Sequence, residues 1–417
     1  MVRVDFADLV HQPVSFSSEN PAEKLVLSLI DSPWVQRLRD ISQTANTRLV
    51  YMFSEHSRFG HSLGVAYLAC TLLSKLKLHF PDKVERYELA VAAAALLHDI
   101  GHLAPGSHTA VKTWFPEAQD NHEAIAIRLI QEVSELRECL EHAQTGLAAE
   151  VTLVLQESER IPAWTWQILS GASWNVDRGN WCVVDSILAG VSYGRYNVGA
   201  LLDSFLISEN NQLALRENRL DAMVHFAVSR NAMYRQIYQH RVILAADTLN
   251  WAVVRRARDL GTALEFADDQ MQEVLKSQDA ESLKNETIFQ MREAWWRYHL
   301  LRWRHSKDAV LADLSDRILN RRLLKTVRVV AGQEHKADEF KKILKQEGYD
   351  PRYYLHRVSS TDMLSSEYEQ PMKVQMEDGS LINVTEADSL LASLGREPQQ
   401  GSRSWFVMPA EIKKLIS

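Results

Sequence analysis

Residues 88–98, E-L-A-V-A-A-A-A-L-L-H, constrain the chain more than any other stretch. The run is almost wholly apolar, so a helix formed by it has no face for water and is buried on all sides. Such a helix needs other helices around it. Gly101, Pro105 and Gly106 stop it directly after His98–Asp99, which places that pair at a buried helix end. An ionised Asp there is costly unless a cation or several donors meet it. A metal ion is one solution; helix capping and an arginine partner are others.

The surroundings supply the helices. From about residue 20 to 330 the chain reads as helix after helix. In 61–78 the apolar Val65, Leu68, Leu72 and Leu76 recur at three- and four-residue spacing, with lysines near the end. Asn121 and His122 open another helix, and further ones are expected over 181–191, 221–259, 264–276 and 288–305. Near residue 327 the texture changes. V-R-V-V-A-G and Y-Y-L-H-R-V read as strands around a short helix, and P-M-K-V-Q-M and S-L-I-N-V flank E-D-G-S as a hairpin. The expected fold is mainly α, with a small α+β domain at 327–417 and no internal repeat.

Composition excludes several classes. The chain is 46% hydrophobic and 24% charged, as ordinary globular proteins are. No stretch reaches the roughly 20 apolar residues of a membrane-spanning helix. The first residues lack the basic-then-apolar plan of a secretion signal, so a cytoplasmic location with no membrane partner is the expectation. Three scattered cysteines, Cys70, Cys139 and Cys182, suit neither a disulfide framework nor a Cys-based zinc site. A net charge of −7 argues against a dedicated nucleic-acid binder, yet a phosphate cleft needs only local positive charge.

His61, in S-R-F-G-H-S-L-G-V, and Asp177, in N-V-D-R-G-N-W, complete a set with His98 and Asp99. Two imidazoles and two carboxylates suit a borderline divalent ion and leave positions for water and a phosphate oxygen.

Several ordered words carry a resemblance. V-Q-R-L-R-D-I-S-Q (35–43), H-S-R-F-G-H-S-L-G-V (56–65), L-L-H-D-I-G-H (96–102) with Ser107–His108, Asn121–His122–Glu123, N-V-D-R-G-N-W-C-V-V-D-S (175–186) and S-R-N-A-M-Y-R-Q-I-Y-Q-H-R (229–241) occur in sequence. The stretch from about 30 to 245 closely resembles the HD-domain deoxynucleoside triphosphate triphosphohydrolases.

That resemblance implies an HD-type catalytic helical core over 1–245, a helical extension over 246–326 and the small domain at 327–417. It makes His61, His98, Asp99 and Asp177 the metal ligands, for Fe, Mn, Zn or Ni, with Mg accompanying the nucleotide. His108 and His122 fall beside the α-phosphate, and His122 is the better general acid because an imidazole can protonate a leaving oxygen near neutral pH. His102 could contact phosphate, support the metal shell or lie exposed in a loop. Arg58, Arg178, Arg230 and Arg241 stand where the family supplies phosphate-facing cations; Arg58, three residues before a metal ligand, has the strongest context, and each of the others could instead be a surface arginine. Gln43 and Asp185 fall at positions that bond the sugar 3′-hydroxyl, and Tyr238 at the one packed against the deoxyribose. The implied partners are a deoxynucleotide substrate and further copies of the chain in a homo-oligomer.

Departures lie close to Asp177. Asn175 and Asn180 replace two family aspartates, Trp181 a tyrosine of the sugar pocket, and Val184 an arginine, while Val111 replaces an Asp found in some members. They bear on substrate identity more than on metal binding. Separately, A-W-W-R-Y-H-L-L-R-W-R-H (294–305) interleaves aromatics with arginines as single-strand binders do, although Trp296, Leu300 and Trp303 also share one face of a packing helix. Three functions remain in view: dNTP hydrolysis to nucleoside and triphosphate, another HD-type phosphodiesterase, nucleotidase or single-strand nuclease activity, and nucleotide sensing with little turnover.

Overall fold

The computed structural model of the chain describes residues 2–105, 109–118, 122–171, 173–330, 332, 335–360, 372–395 and 403–416. Among these are 22 α-helices and nine short strands, so the fold is mainly α.

The apolar run forms the helix Pro81–Leu97, and its residues from Ala90 to Leu97 are all buried. Pro81 opens it at the position where a missing N–H costs nothing. It packs on the helices Arg58–Lys77, Pro21–Ile30 and Leu147–Leu155. Four consecutive alanines, Ala92–Ala95, give it a slim body that neighbours can approach on every side.

Two glycines set the close approaches that shape the centre. A Cβ on Gly64 would lie 2.1 Å from Asn180 Nδ2, so only glycine lets the helix Val176–Leu188 seat its Asn180 against Arg58–Lys77. A Cβ on Gly101 would lie 2.0 Å from the His122 carbonyl oxygen, so Gly101 admits the start of the helix His122–Glu132.

Arg37 pins the loop after His98. Fully enclosed, its guanidinium donates to the carbonyls of Ile100, Ile288, Phe289 and Met291 at 2.8–3.3 Å. It thereby ties the H-D-I-G-H segment to the helix Asn285–Gln290.

The helix expected over 221–259 is divided. Leu220–Met233 runs into a π-helical turn, Tyr234–Tyr238, and a new helix spans Arg241–Leu260 with His240 capping the Val242 N–H. The wider turn accompanies the contacts of Tyr238 described below. Single π-turns of this kind cluster at functional sites.

In 294–305, Trp296, His299, Leu300 and Trp303 face inward from the helix Glu293–Trp303, with Trp114 packed on Trp295 and Trp296. Trp303 Nε1 donates to the Phe266 carbonyl and Trp295 Nε1 to Asp268. These indoles serve as core.

Strands β1 (Arg3–Phe6) and β2 (Val14–Ser17) form an antiparallel hairpin. β5 (Lys325–Arg328) and β6 (His356–Ser359) flank β9 (Ser404–Met408), and the helix Lys336–Gln346 covers them, with Phe340 edge-on to Phe406. Tyr353 and Tyr354, expected in a strand, instead end the short helix Pro351–Tyr354, which Asp350 caps through the Arg352 N–H. The hairpin signal at 373–383 forms β7 (Lys373–Gln375) and β8 (Leu381–Asn383). β7 pairs in parallel with β4 (Leu213–Arg216), itself antiparallel to β3 (Phe205–Ile207). This part of the C-terminal segment therefore lies against the helical body. Among the described residues no helix is long and apolar enough to cross a membrane.

Candidate metal centre and adjoining pocket

Three helices bring the expected ligands together. His61 lies in the first turn of Arg58–Lys77, His98 caps Pro81–Leu97, and Asp177 lies in the first turn of Val176–Leu188. Asn175 is the N-cap of that last helix, accepting from the Arg178 N–H at 2.7 Å, a role Asn fills as well as Asp. The departure at 175 thus preserves the placement of Asp177.

His61, His98 and Asp177 offer ligand atoms within 4.8 Å of one another. His61 Nε2 is 2.9 Å and His98 Nε2 3.8 Å from Asp177 Oδ1. Both Nε2 atoms are buried, and neither has a hydrogen bond among the described residues. Their far sides are committed: His98 Nδ1 is 2.9 Å from the Ala95 carbonyl and His61 Nδ1 3.0 Å from Asn180 Oδ1. Carbonyl oxygens only accept, so each Nδ1 carries a proton and each Nε2 is turned toward Asp177. A divalent cation would take both Nε2 lone pairs beside that carboxylate; in the metal-free protein a proton on His98 meets the charge instead. The residues present fit such an ion.

Asp99 stands at the edge of this group. Its Oδ2 is 3.6 Å from His61 Nε2, and its Oδ1 is 3.3 Å from His98 Nε2 and 3.2 Å from His102 Nε2. Arg58, expected to face phosphate, donates from Nη1 to Asp99 Oδ2 at 2.6 Å, with both side chains buried. Asp99, His102 and His122 form a second group with ligand atoms within 4.8 Å, and the His102 and His122 rings stack at 3.9 Å.

The charges reinforce one another. Burial works against ionising Asp99, but Arg58, His98 and His102 hold its carboxyl well below the usual range. Burial likewise opposes ionisation of Asp177, yet His61 and His98 hold it far below that range. For His98 burial disfavours the cation, and Asp99 and Asp177 outweigh it, raising the ring to about 9 in the metal-free protein. His102 goes the other way. Burial, then Arg58 and His122, push it well below an ordinary histidine, so it is neutral near pH 7.

A polar and aromatic cluster adjoins through the same helix. Asp185, two turns beyond Asp177, is buried; its Oδ1 is 2.7 Å from His56 Nε2, and its Oδ2 accepts from the Tyr238 hydroxyl. Burial and the Asp185 charge push the Tyr238 phenol well above its ordinary value, so it stays a donor. Trp181 meets Tyr238 edge-on at 5.3 Å, and Tyr234 completes an aromatic wall over which the Arg230 guanidinium sits, 5.0 Å from the Tyr234 ring. Gln43 is buried, and its backbone N–H donates to the His56 carbonyl.

Other expected residues lie differently. Arg178 Nη1 donates to the Gly171 carbonyl at 2.7 Å. Arg241, exposed at the start of its helix, makes no hydrogen bond to these site residues among those described. Val111 packs in the apolar core, and half-buried Val184 packs against it. His108 lies outside the described residues. Sequence reading missed His56, whose only signal is its place five residues before His61. It also read the change at Asn180 as bearing on substrate identity more than on metal binding, whereas Asn180 contacts His61.

The fold and this cluster define a helical protein built around a buried His/Asp metal-binding arrangement. Residues 58–161 match the HD domain family. It is similar to the uncharacterized protein YwfO of Bacillus subtilis, 29% identical over 364 residues, which cover 86% of this chain and 80% of that protein. It also resembles the deoxynucleoside triphosphate triphosphohydrolase SAMHD1 of Gallus gallus, 27% identical over 250 residues. That match covers 52% of this chain and 40% of the chicken protein, so the chain spans less than half of that relative's length. The solved structure of a phosphohydrolase from Bacteroides thetaiotaomicron shares the fold, with a TM-score of 0.81 at 22% identity over 97% of this chain and 99% of that one.

Proposed function

We propose that this HD-domain protein is a metal-dependent phosphohydrolase that converts deoxynucleoside triphosphates to deoxynucleoside and inorganic triphosphate. The observation that carries the reading is a ligand cluster, His61, His98 and Asp177, whose Asp177 shares a helix with the buried Asp185 and its partners His56 and Tyr238. A relative named for this activity adds support.

His61, His98 and Asp177, with Asp99 beside them, would hold the ion. Fe, Mn, Zn or Ni suits the imidazoles, and Mg would accompany the nucleotide. A divalent ion there would polarise a phosphoryl oxygen and lower the pKa of a bound water toward neutrality. Arg58 fixes the Asp99 carboxylate, and Arg230 brings positive charge to the aromatic wall. His122, stacked on neutral His102, gives its proton to the departing 5′-oxygen of the sugar, with His108 assigned beside it by resemblance. Gln43 and Asp185 bond the 3′-hydroxyl, while Tyr238 and Trp181 wall the sugar. Arg178 and Arg241 act as outer phosphate contacts. The same reading carries a cytoplasmic homo-oligomer, which light scattering on the purified chain tests.

A second reading rests on the second group, Asp99, His102 and His122. Two adjacent ligand groups suit a two-metal displacement on a phosphodiester or phosphate monoester.

The test is product analysis. Metal-loaded protein is incubated with each dNTP, each NTP and a labelled single strand. Inorganic triphosphate with deoxynucleoside supports the first reading; monophosphate or a shortened strand supports the second. Nucleotide binding without turnover under any metal overturns both in favour of a sensor. Asp177→Ala should abolish metal retention and turnover together, and retained metal would refute the ligand assignment.

A further inference from the structure

A support of the metal cluster comes from the N-terminal hairpin, outside the matched residues 58–161. His11 lies in the loop between β1 and β2, and its Nε2 is 3.1 Å from Asn180 Nδ2. The loop is held in place locally. Asp8 Oδ2 accepts from the Val10 and His11 N–H groups at 2.8 and 2.6 Å. The His11 ring rests against Tyr67 at 5.3 Å, and buried Phe16 of β2 meets the same tyrosine edge-on at 6.5 Å. Tyr67 belongs to the helix Arg58–Lys77, which also carries His61. The hairpin is thus docked on a ligand-bearing helix.

The hydrogen bonds run in one direction. His61 Nδ1–H donates to Asn180 Oδ1 at 3.0 Å, so the other end of the amide, an NH₂ group, faces His11 and can only donate. His11 Nε2 must therefore be a bare lone pair, and its neutral ring carries the proton on Nδ1. Burial lowers this ring below an ordinary histidine, with Asp8 working against it, which suits the neutral form. An aspartate at 180 would have an accepting oxygen for each ring. The amide has one accepting end and one donating end. Turned the other way, it would set N–H against the His61 N–H and its oxygen against the His11 lone pair. An acceptor at His11 therefore decides which end of Asn180 meets His61.

We infer that His11 is a positioning residue of the candidate metal cluster. By accepting from Asn180 it holds the amide oxygen on His61 Nδ1–H, which leaves His61 Nε2 free for a metal ion. This rests on the metal-dependent reading above. It makes the N-terminal hairpin part of the site, although His11 is not itself among the ligands.

The experiment measures Zn²⁺ affinity of the full chain near neutral pH, by competition with a chromogenic chelator. His11→Phe keeps a ring against Tyr67 but cannot accept a hydrogen bond. His11→Gln loses the ring but can place Oε1 near the position of Nε2. His11→Phe should bind Zn²⁺ about 10-fold more weakly than wild type, the lower end for partners of ligating histidines because it acts through Asn180. His11→Gln should recover most of that loss. A role confined to packing gives the reverse order, with Phe binding better than Gln, and that order overturns the inference. Nitrogen-15 NMR of histidine-labelled, Zn²⁺-loaded protein, assigned by the signals lost in His11→Gln, reads the ring directly. His11 should show bare Nε2 and protonated Nδ1, and Asn180→Asp should bring a proton onto Nε2. A wild-type ring protonated at Nε2 overturns the inference. Wild type that retains no Zn²⁺ overturns the metal reading and the inference with it. Wild type that retains Zn²⁺, matched by His11→Phe, overturns the inference alone.

Discussion

Asn180 meets the Nδ1 of His61 with its amide oxygen at 3.0 Å, and its amide nitrogen lies 3.1 Å from His11 Nε2. That one contact fixes the tautomer of a histidine in the candidate metal cluster. The amide is fully buried and lies where Gly64 leaves room for it, so its orientation depends on packing as well as on its two partners. A neutral amide orients the ring without adding charge to a centre that already holds two carboxylates.

Replacing Asn180 with Leu should therefore weaken metal binding while sparing the fold. Outer-shell partners of ligating histidines are worth about 10- to 100-fold in metal affinity. Gly64→Ala should act in the same direction, because its Cβ would press on Asn180 Nδ2. Competition against a chelator measures both, and the double variant should lose little more than either single one, since the two changes break one contact. Full additivity would show that Gly64 acts elsewhere.

The Arg58–Asp99 pair has a different consequence. Both side chains are buried, and Arg58 is a main source of the positive charge that holds Asp99 ionised. Arg58→Met leaves a buried carboxylate short of its cation, a loss of about 3–5 kcal/mol in comparable cases. A divalent ion bound beside Asp99 would replace much of that charge. Metal-free Arg58→Met should thus melt well below wild type, and saturating Mn²⁺ should raise its melting temperature by more than it raises that of wild type. Equal shifts would place the bound ion away from Asp99.

How much of this was legible differs by residue. His98–Asp99 stood out because a carboxylate directly after an all-apolar helix demands a partner, and the helix formed as its composition required. His61 and Asp177 were found through their words, and the helix starts brought them within ligand distance. The partner of Arg58 was not legible, since an arginine three residues before a metal ligand serves a phosphate or a carboxylate equally well. Nor was the use of Asn180. A substitution within a motif shows what changed, while the neighbour it meets is decided by a glycine more than a hundred positions away. The β7–β8 hairpin shows the same limit. Alternation and a turn specify a hairpin, but the free edge of β4 decides where it attaches.

Arg37 offers a test of how the loop after His98 is held. Its guanidinium satisfies four carbonyls, from Ile100 and the end of the helix Asn285–Gln290, and burial lowers it to about 9. Asp40 offsets part of that burial, and the carbonyls supply the hydrogen bonds. Arg37→Met strands those acceptors in a dry interior and should cost about 3 kcal/mol or more of stability. Arg37→Lys should rescue little, because an ammonium cannot reach carbonyls spread around a planar fork. Urea unfolding of the metal-free chain reads both, and a lysine variant as stable as wild type would reject this account.

Asp247 gives a pH dependence outside the metal centre. Its carboxyl, on the helix Arg241–Leu260, is raised to about 7 by burial, against which the 2.7 Å bond from Asn46 Nδ2 works. The folded pKa lies above the unfolded value near 4, so between them the native state binds more protons than the unfolded chain. This group's contribution to stability is therefore complete below about pH 4, falls as pH rises toward 7, and levels off above that. Asp247→Asn keeps the acceptor for Asn46 and removes the titration. Its stability relative to wild type should climb across that window and reach an advantage on the order of a few kcal/mol at pH 8. Denaturant titrations at pH 5, 6, 7 and 8 measure the difference, and a gap between the two proteins that does not change with pH would show that Asp247 is ionised throughout.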